Sequence, residues 1–404
     1  MTTQTQKEPN KRFYLLSVDL VQGMLVILFV LGHLLVWWRY EITNHSYEGI
    51  HPFWHPIIEF LLLFGMAVFP FFVFLFAFNQ TNSVLRKNHD PSQRSLIRTK
   101  YLKRSAIFLG LGIFKQTIGA LLFGPKKILQ YLFAWEIFHM FSFSTLFLLV
   151  VFEVGWLLQK YGYSFRNMTI GFLATAFTVA ATVFLLFHDY SLTHRVTYYL
   201  QELNLDSALR YIFIDQGPAP IIPFILFAIV GSFMATWLEL PTMDKETIVE
   251  RMRLILTMGV VSIFVGISLL SVERYSSPAL LGSVSSSFLF VAIGLFLVLM
   301  PSLIYFLDLD TRFTSRKIPS SAIPLVLLSK VTLTVYIIHN ILFVLDPAII
   351  PNEWFFIIIG GSYVAFFILV AMAWQRWMFK YSIEWVVHML ENRPWRSSES
   401  ETPN

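Results

Sequence analysis

Apolar residues run through this chain in long unbroken blocks, each closed by a short polar stretch. They neither alternate nor confine themselves to one helical face. Blocks of about 18 to 25 residues are the length at which an α-helix crosses a ~30 Å hydrocarbon layer. The pattern predicts ten spans, near 17–38, 57–78, 105–123, 130–157, 169–187, 219–238, 254–272, 286–307, 324–345 and 354–378. The fourth is long enough to tilt or to lie partly in the interface. The predicted fold class is all-α, a polytopic transmembrane helix bundle. A single membrane domain (17–380) sits between a polar N-terminal tail (1–16) and a polar C-terminal tail (381–404). No repeat of fixed period stands out.

Composition agrees. The chain is 56% hydrophobic and 14% charged with a mean hydropathy of +0.63, whereas a soluble domain carries ~25% charged residues. The 41 Phe and 11 Trp suit lipid-facing surfaces and interface belts. No cysteine is present, which excludes disulfides, thiol catalysis and zinc–thiolate sites. The +5 net charge is spread over several loops, so it is not the footprint of a nucleic-acid partner. Lys7, Lys11 and Arg12 before an apolar run resemble a signal sequence. Trp37-Trp38-Arg39 follows where a small-residue cleavage site would stand, so the run is expected to remain as the first span.

Charge gives the orientation. With the N-terminus inside, 23 of the 30 Lys and Arg fall in inner segments, as cytoplasmic loops require. Both termini are therefore expected in the cytoplasm of a multi-pass protein of the cell membrane.

With that topology, ionisable residues gather at one depth toward the outer surface. His33 ends span 1, and His51, His55 and Glu59 open span 2. Lys115 lies in span 3, Glu136 and His139 one turn apart in span 4, and His339 in span 9. Charged and polar groups in lipid-length segments are costly, which makes them functional candidates. Each has a plainer reading: a lone histidine packs and hydrogen-bonds, Glu136 and Lys115 neutralise each other, His51 and His55 belong to the interface. Their convergence favours a shared polar cavity in which protons exchange. Asp19, at the inner end of span 1, suits a helix N-terminal cap as well as a site. The inner stretch 86–104 carries seven cations, Arg98, Lys103 and Arg104 among them. It reads as positive-inside bias with anionic lipid contact, or as a landing site for a phosphate-bearing donor. No phosphate loop, His-Glu-x-x-His or Gly-x-Ser-x-Gly pattern occurs.

At these residues the chain resembles the membrane acyltransferases of the acyltransferase-3 and heparan-α-glucosaminide N-acetyltransferase-like groups. Asp19, Gly23 and His33 keep the spacing of the group's first span, and Phe69-Pro70-Phe71-Phe72-Val73-Phe74 is similar to its aromatic run. Arg98, Lys103 and Arg104 match a basic entry to span 3, and Leu328 through Tyr336 and His339 are similar to a late Leu-Gly-x-x-Ser-x-x-x-Tyr-Leu-x-His pattern. Pro223 through Gly231 also looks like a late-middle span. Gln22 stands where the group usually has Arg, and Phe76-Ala77 replaces its Ser-Gly.

The resemblance implies transfer of an acyl group, usually acetyl, from cytoplasmic acyl-CoA as co-substrate, without a metal. The acceptor is a hydroxyl or amine on an extracytoplasmic glycan, lipid or cell-envelope molecule. Such chemistry needs a base and a donor for the developing oxyanion. His33 is the expected base, with His55 or His51 as rival. Glu59 or Glu136 orients an imidazole, His339 and His139 donate hydrogen bonds, Lys115 stabilises negative charge, and Arg98, Lys103 and Arg104 hold the donor. Asp19 joins the substrate-binding set. A proton-coupled transporter or flippase using the same groups is the reading from a different class.

Overall fold

A computed structural model describes residues 15–42, 55–87, 90–123, 137–187, 221–240, 243–270, 285–309, 320–339 and 353–392. At 35–42, 55–67, 119–123, 187, 270 and 353–356 the backbone alone is described. The described residues form helices: α1 (Leu16–Ile42), α2 (His55–Leu85), α3 (Gln93–Phe123), α4 (Ile137–Gln159), α5 (Phe165–Phe187), α6 (Ile221–Leu238), α7 (Lys245–Leu270) and α8 (Ser286–Leu303). Then come the short α9 (Ile323–Ser329) and α10 (Thr332–Ile338), α11 (Glu353–Gln375) and α12 (Ile383–Asn392). Among them eight are long and apolar enough to cross a membrane, or nine if α9 and α10 count together. The all-α membrane bundle expected from the sequence is thus present.

Burial sorts the helices. In α6, 83% of the span is buried inside the bundle, against 22% in α5, α7 and α11. A helix apolar all round belongs at the centre, with its neighbours between it and lipid. α2 packs on α6 and α1, α3 on α4, and α1 on α9. Lipid is as apolar as leucine, so these contacts depend on close fit rather than on hydrophobic drive. At Gly23 of α1 a Cβ would fall 2.0 Å from the Leu325 carbonyl oxygen of α9. The two backbones touch there, and any side chain would push them apart. The aromatic run of α2 packs on α8: the Phe71 and Phe296 rings stack with centroids 4.0 Å apart.

Three expectations change. The basic stretch 86–104 is helical from Gln93 onward, in one helix with the apolar residues that follow to Phe123, and this helix is not among the eight candidate spans. Asp90 accepts from the Ser92 amide at 2.9 Å just before that helix, and Arg and Lys are good helix formers. Where one continuous ninth span is expected, two helices, α9 and α10, meet at 67° around Lys330 and Val331. Asp19 does not cap α1. Asp308, delivered by the π-helical turn Ile304–Leu309, accepts from the Leu16 amide at 2.8 Å and the Ser17 amide at 3.3 Å. Asp19 instead receives Lys330 Nζ at 2.6 Å.

Candidate functional site

The break between α9 and α10 exposes backbone groups that lipid cannot satisfy, so protein must. Gln22 Nε2 donates to the Ser329 carbonyl at 3.3 Å and to Thr332 Oγ1 at 3.0 Å. On the other side, the carboxylate of Glu384 in α12 accepts from the Leu333 amide, from the Thr334 amide at 3.2 Å and from Thr334 Oγ1 at 2.7 Å. The break is held open by side chains from α1 and α12, and it aims α10 at α1.

What α10 aims is Tyr336 and His339. The His33 and His339 rings meet edge to face with centroids 5.0 Å apart, and Phe29 lies 4.2 Å from the first and 4.5 Å from the second. His33 Nδ1 lies 3.0 Å from the Phe29 carbonyl, and His339 Nδ1 lies 2.6 Å from that of Tyr336. A carbonyl only accepts, so each neutral imidazole carries its proton on Nδ1 and its lone pair on Nε2. This is the form a general base requires. The Tyr363 hydroxyl donates to the His339 carbonyl at 3.0 Å, which fixes the end of α10. Lys115 Nζ donates to the Tyr336 hydroxyl at 3.0 Å and lies 4.2 Å from the centre of its ring. His139 is buried against α3, where Gly112 leaves it room: a Cβ there would come within 2.9 Å of three imidazole atoms.

Away from this histidine cluster lies a cavity of about 300 Å³, walled in part by Gln22, Asn79, Gln80, Arg104 and Thr332. Gln80 donates to Thr145 Oγ1 at 3.0 Å, while its buried Oε1 has no hydrogen-bond partner among the described residues. His33 follows Gln22 on α1, and Lys115 follows Arg104 on α3, each by eleven residues. At about 1.5 Å per residue the histidine cluster is therefore about 16 Å further along both helices. Between the two lies an apolar slot of about 10 Å³ lined by Phe29, Phe72, Phe141, Leu333 and Tyr336 among others. That is scarcely room for one water, so the passage is closed in this arrangement.

The predicted residues divide accordingly. His33, His339 and Lys115 come together, joined by Tyr336. Arg104 walls the cavity, but its guanidinium is held by Glu391 of α12, with Nη2 to Oε2 at 2.8 Å. Arg98 pairs with Glu153 of α4 at the surface and is absent from the cavity lining. Lys103 lies on α3 one residue from Arg104. His55 and Glu59 fall on the first turns of α2, where only backbone is described; His51 and Glu136 lie outside the described residues. Among the described residues no group of three His, Cys, Asp or Glu is arranged to hold a metal ion.

Lys330, Asp308, Glu384 and Glu391 were not singled out from the sequence. The cation beside Asp19 is Lys330, supplied from the α9–α10 break. The one available signal for α12 was the spacing of Glu384 and Glu391, seven residues apart and so on one helical face. No protein-family model matches the chain, and no curated protein matches it. The likeness to membrane acyltransferases therefore rests on the residues quoted above, and the family of this chain is not shown.

Proposed function

We propose that this protein is an integral membrane acyltransferase that moves an acyl group, acetyl in the simplest case, from acyl-CoA to a hydroxyl or amine. The observation that carries this is the imidazole pair, with both Nδ1 atoms committed to helix carbonyls, beside a lysine–tyrosine hydrogen bond. In this reading His33 Nε2 takes the proton of the attacking hydroxyl or amine. The new C–O or C–N bond forms, the thioester C–S bond breaks, and the proton passes to the departing thiolate. Lys115, through Tyr336, faces the developing oxyanion. The donor enters from the Arg104 end, which the excess of cations assigns to the cytoplasm, and its thioester reaches the histidine cluster once the Phe29, Phe72 and Phe141 side chains part. The acceptor, a glycan, lipid or other envelope molecule, comes from the opposite face.

The test is transfer of label from radiolabelled acetyl-CoA to a cell-envelope glycan and lipid fraction by purified protein in lipid nanodiscs. Label should move with the wild type and fall by about 10²–10⁴-fold in His33→Ala, the span typical of a lost general base. Equal transfer by the two proteins would overturn the reading.

The broken α9–α10 element favours a second reading, since discontinuous helices with polar groups at the break recur in secondary transporters. Uptake or flipping that collapses with a protonophore and persists without CoA would establish that one instead.

A further inference from the structure

The buried residues of α12 are Val387 and Glu391, and half-buried Glu384 at its start reaches α10. Glu391 is only 6% exposed and holds Arg104, with Lys100 Nζ at 3.5 Å. Glu384 holds the first turn of α10. A helix docked through buried acids gains little, because desolvating the charges offsets much of their attraction. Its hold lasts only while nothing better occupies the same cations. Arg104 also walls the 300 Å³ cavity, and a phosphate fits the guanidinium fork as a carboxylate does while carrying more charge. Burial and the neighbouring Arg104 hold the Lys100 ammonium below its ordinary pKa, a strain that a dianion relieves more than a single carboxylate does.

The link from α11 to α12 is strained as well. Met378, Phe379 and Tyr381 have φ of 53°, 55° and 67°, a left-handed conformation that side chains bearing a Cβ adopt only under constraint.

We propose that α12 is a carboxylate latch. A phosphate-bearing ligand takes Arg104, at the wall of the cavity, and Lys100, which lines a small adjoining pocket with Arg104, from Glu391; α12 swings about its strained link, and Glu384 lets go of α10. Because α10 carries Tyr336 and His339, occupancy at the cationic end is relayed to the imidazoles about 16 Å away. In the resting chain Glu391 is then an internal competitor for the anion site. The identification of the ligand as acyl-CoA rests on the acyltransferase reading; the anion exchange does not.

The chain has no cysteine, so Lys160→Cys and Leu390→Cys, both at exposed positions, accept spin labels in an otherwise unaltered background. Pulsed dipolar spectroscopy should give one narrow distance distribution in the resting protein. Millimolar inorganic pyrophosphate or coenzyme A should add a second, displaced population. In Glu391→Gln that population should be present without ligand, and coenzyme A should bind about tenfold tighter, the low end for a close charge pair. A distribution that neither pyrophosphate nor coenzyme A alters, whether or not they bind, overturns the latch, and the unmutated labelled protein decides this even if Glu391→Gln fails to accumulate. Acetyl transfer with α12 motionless also overturns it and leaves the acyltransferase reading standing. Movement with pyrophosphate but no acetyl transfer supports the latch and removes acyl-CoA as its ligand.

Discussion

The imidazoles of His33 and His339 and the side chains of the cavity at Arg104 are both polar groups in an apolar bundle, but they are held differently. Each imidazole is tied to a carbonyl three or four residues back on its own chain, and aromatic rings close around it. Those bonds form with the helix and cannot be exchanged. In the cavity, Gln22, Gln80 and Arg104 are held by groups from other helices, Thr332, Thr145 and Glu391 in turn. Such bonds depend on packing and can be replaced. The difference suits a fixed reacting centre fed from a binding space that changes partners.

The comparison breaks most severely at the histidine cluster. His339→Gln, which keeps size but removes the basic nitrogen, is expected to lower acetyl transfer by about 10²-fold or more and to move the thermal midpoint little. An equal loss of both would make His339 a packing residue. Next comes Gly23→Val, which sets side-chain atoms against the α9 backbone. Overpacking at backbone contact is expected to cost about 3 kcal/mol or more, read as loss of folded, monodisperse protein in detergent. Gln22→Leu should cost about 1–3 kcal/mol, because a carbonyl at the helix break loses its donor; thermal unfolding in nanodiscs checks this, and full stability would mean the break is satisfied without α1.

The smallest effect is on pH. Burial raises the Glu384 carboxyl above its ordinary value of 4.5, and the hydrogen bonds from Thr334 and Leu333 only partly oppose this. A raised folded-state value favours the protonated form. Its stabilising contribution is therefore complete below the ordinary value and is lost as pH rises through the folded one. Glu384→Gln should flatten that decline, so wild type and variant midpoints measured from pH 4.5 upward should diverge as pH rises. Parallel curves would show that Glu384 titrates normally.

Much of the fold was legible before any coordinates, since a span announces itself by length and apolarity alone. The break near Lys330 was not, because Leu328 to His339 reads as continuous helix and the groups that meet it, Gln22, Asp19 and Glu384, are distant in sequence. For the site, His33, His339 and Lys115 could be selected because lipid makes any ionisable residue conspicuous. Tyr336 stood in the quoted pattern without a role, since tyrosine in an apolar run is unremarked until a lysine reaches it. Arg98 and Arg104 looked equivalent on one basic stretch. Helical rotation separates them, one outward to Glu153 and one inward to the cavity.

By itself the sequence determined that this chain is a helical membrane protein with histidines inside its apolar segments, because hydrocarbon imposes length and composition on every stretch that crosses it. Only the tertiary structure decided that His33 and His339 touch, that Lys330 serves Asp19, and that α12 holds both Arg104 and α10. Those pairings join residues up to about three hundred positions apart. They depend on how helices rotate and approach one another, which residue-by-residue hydrophobicity does not specify.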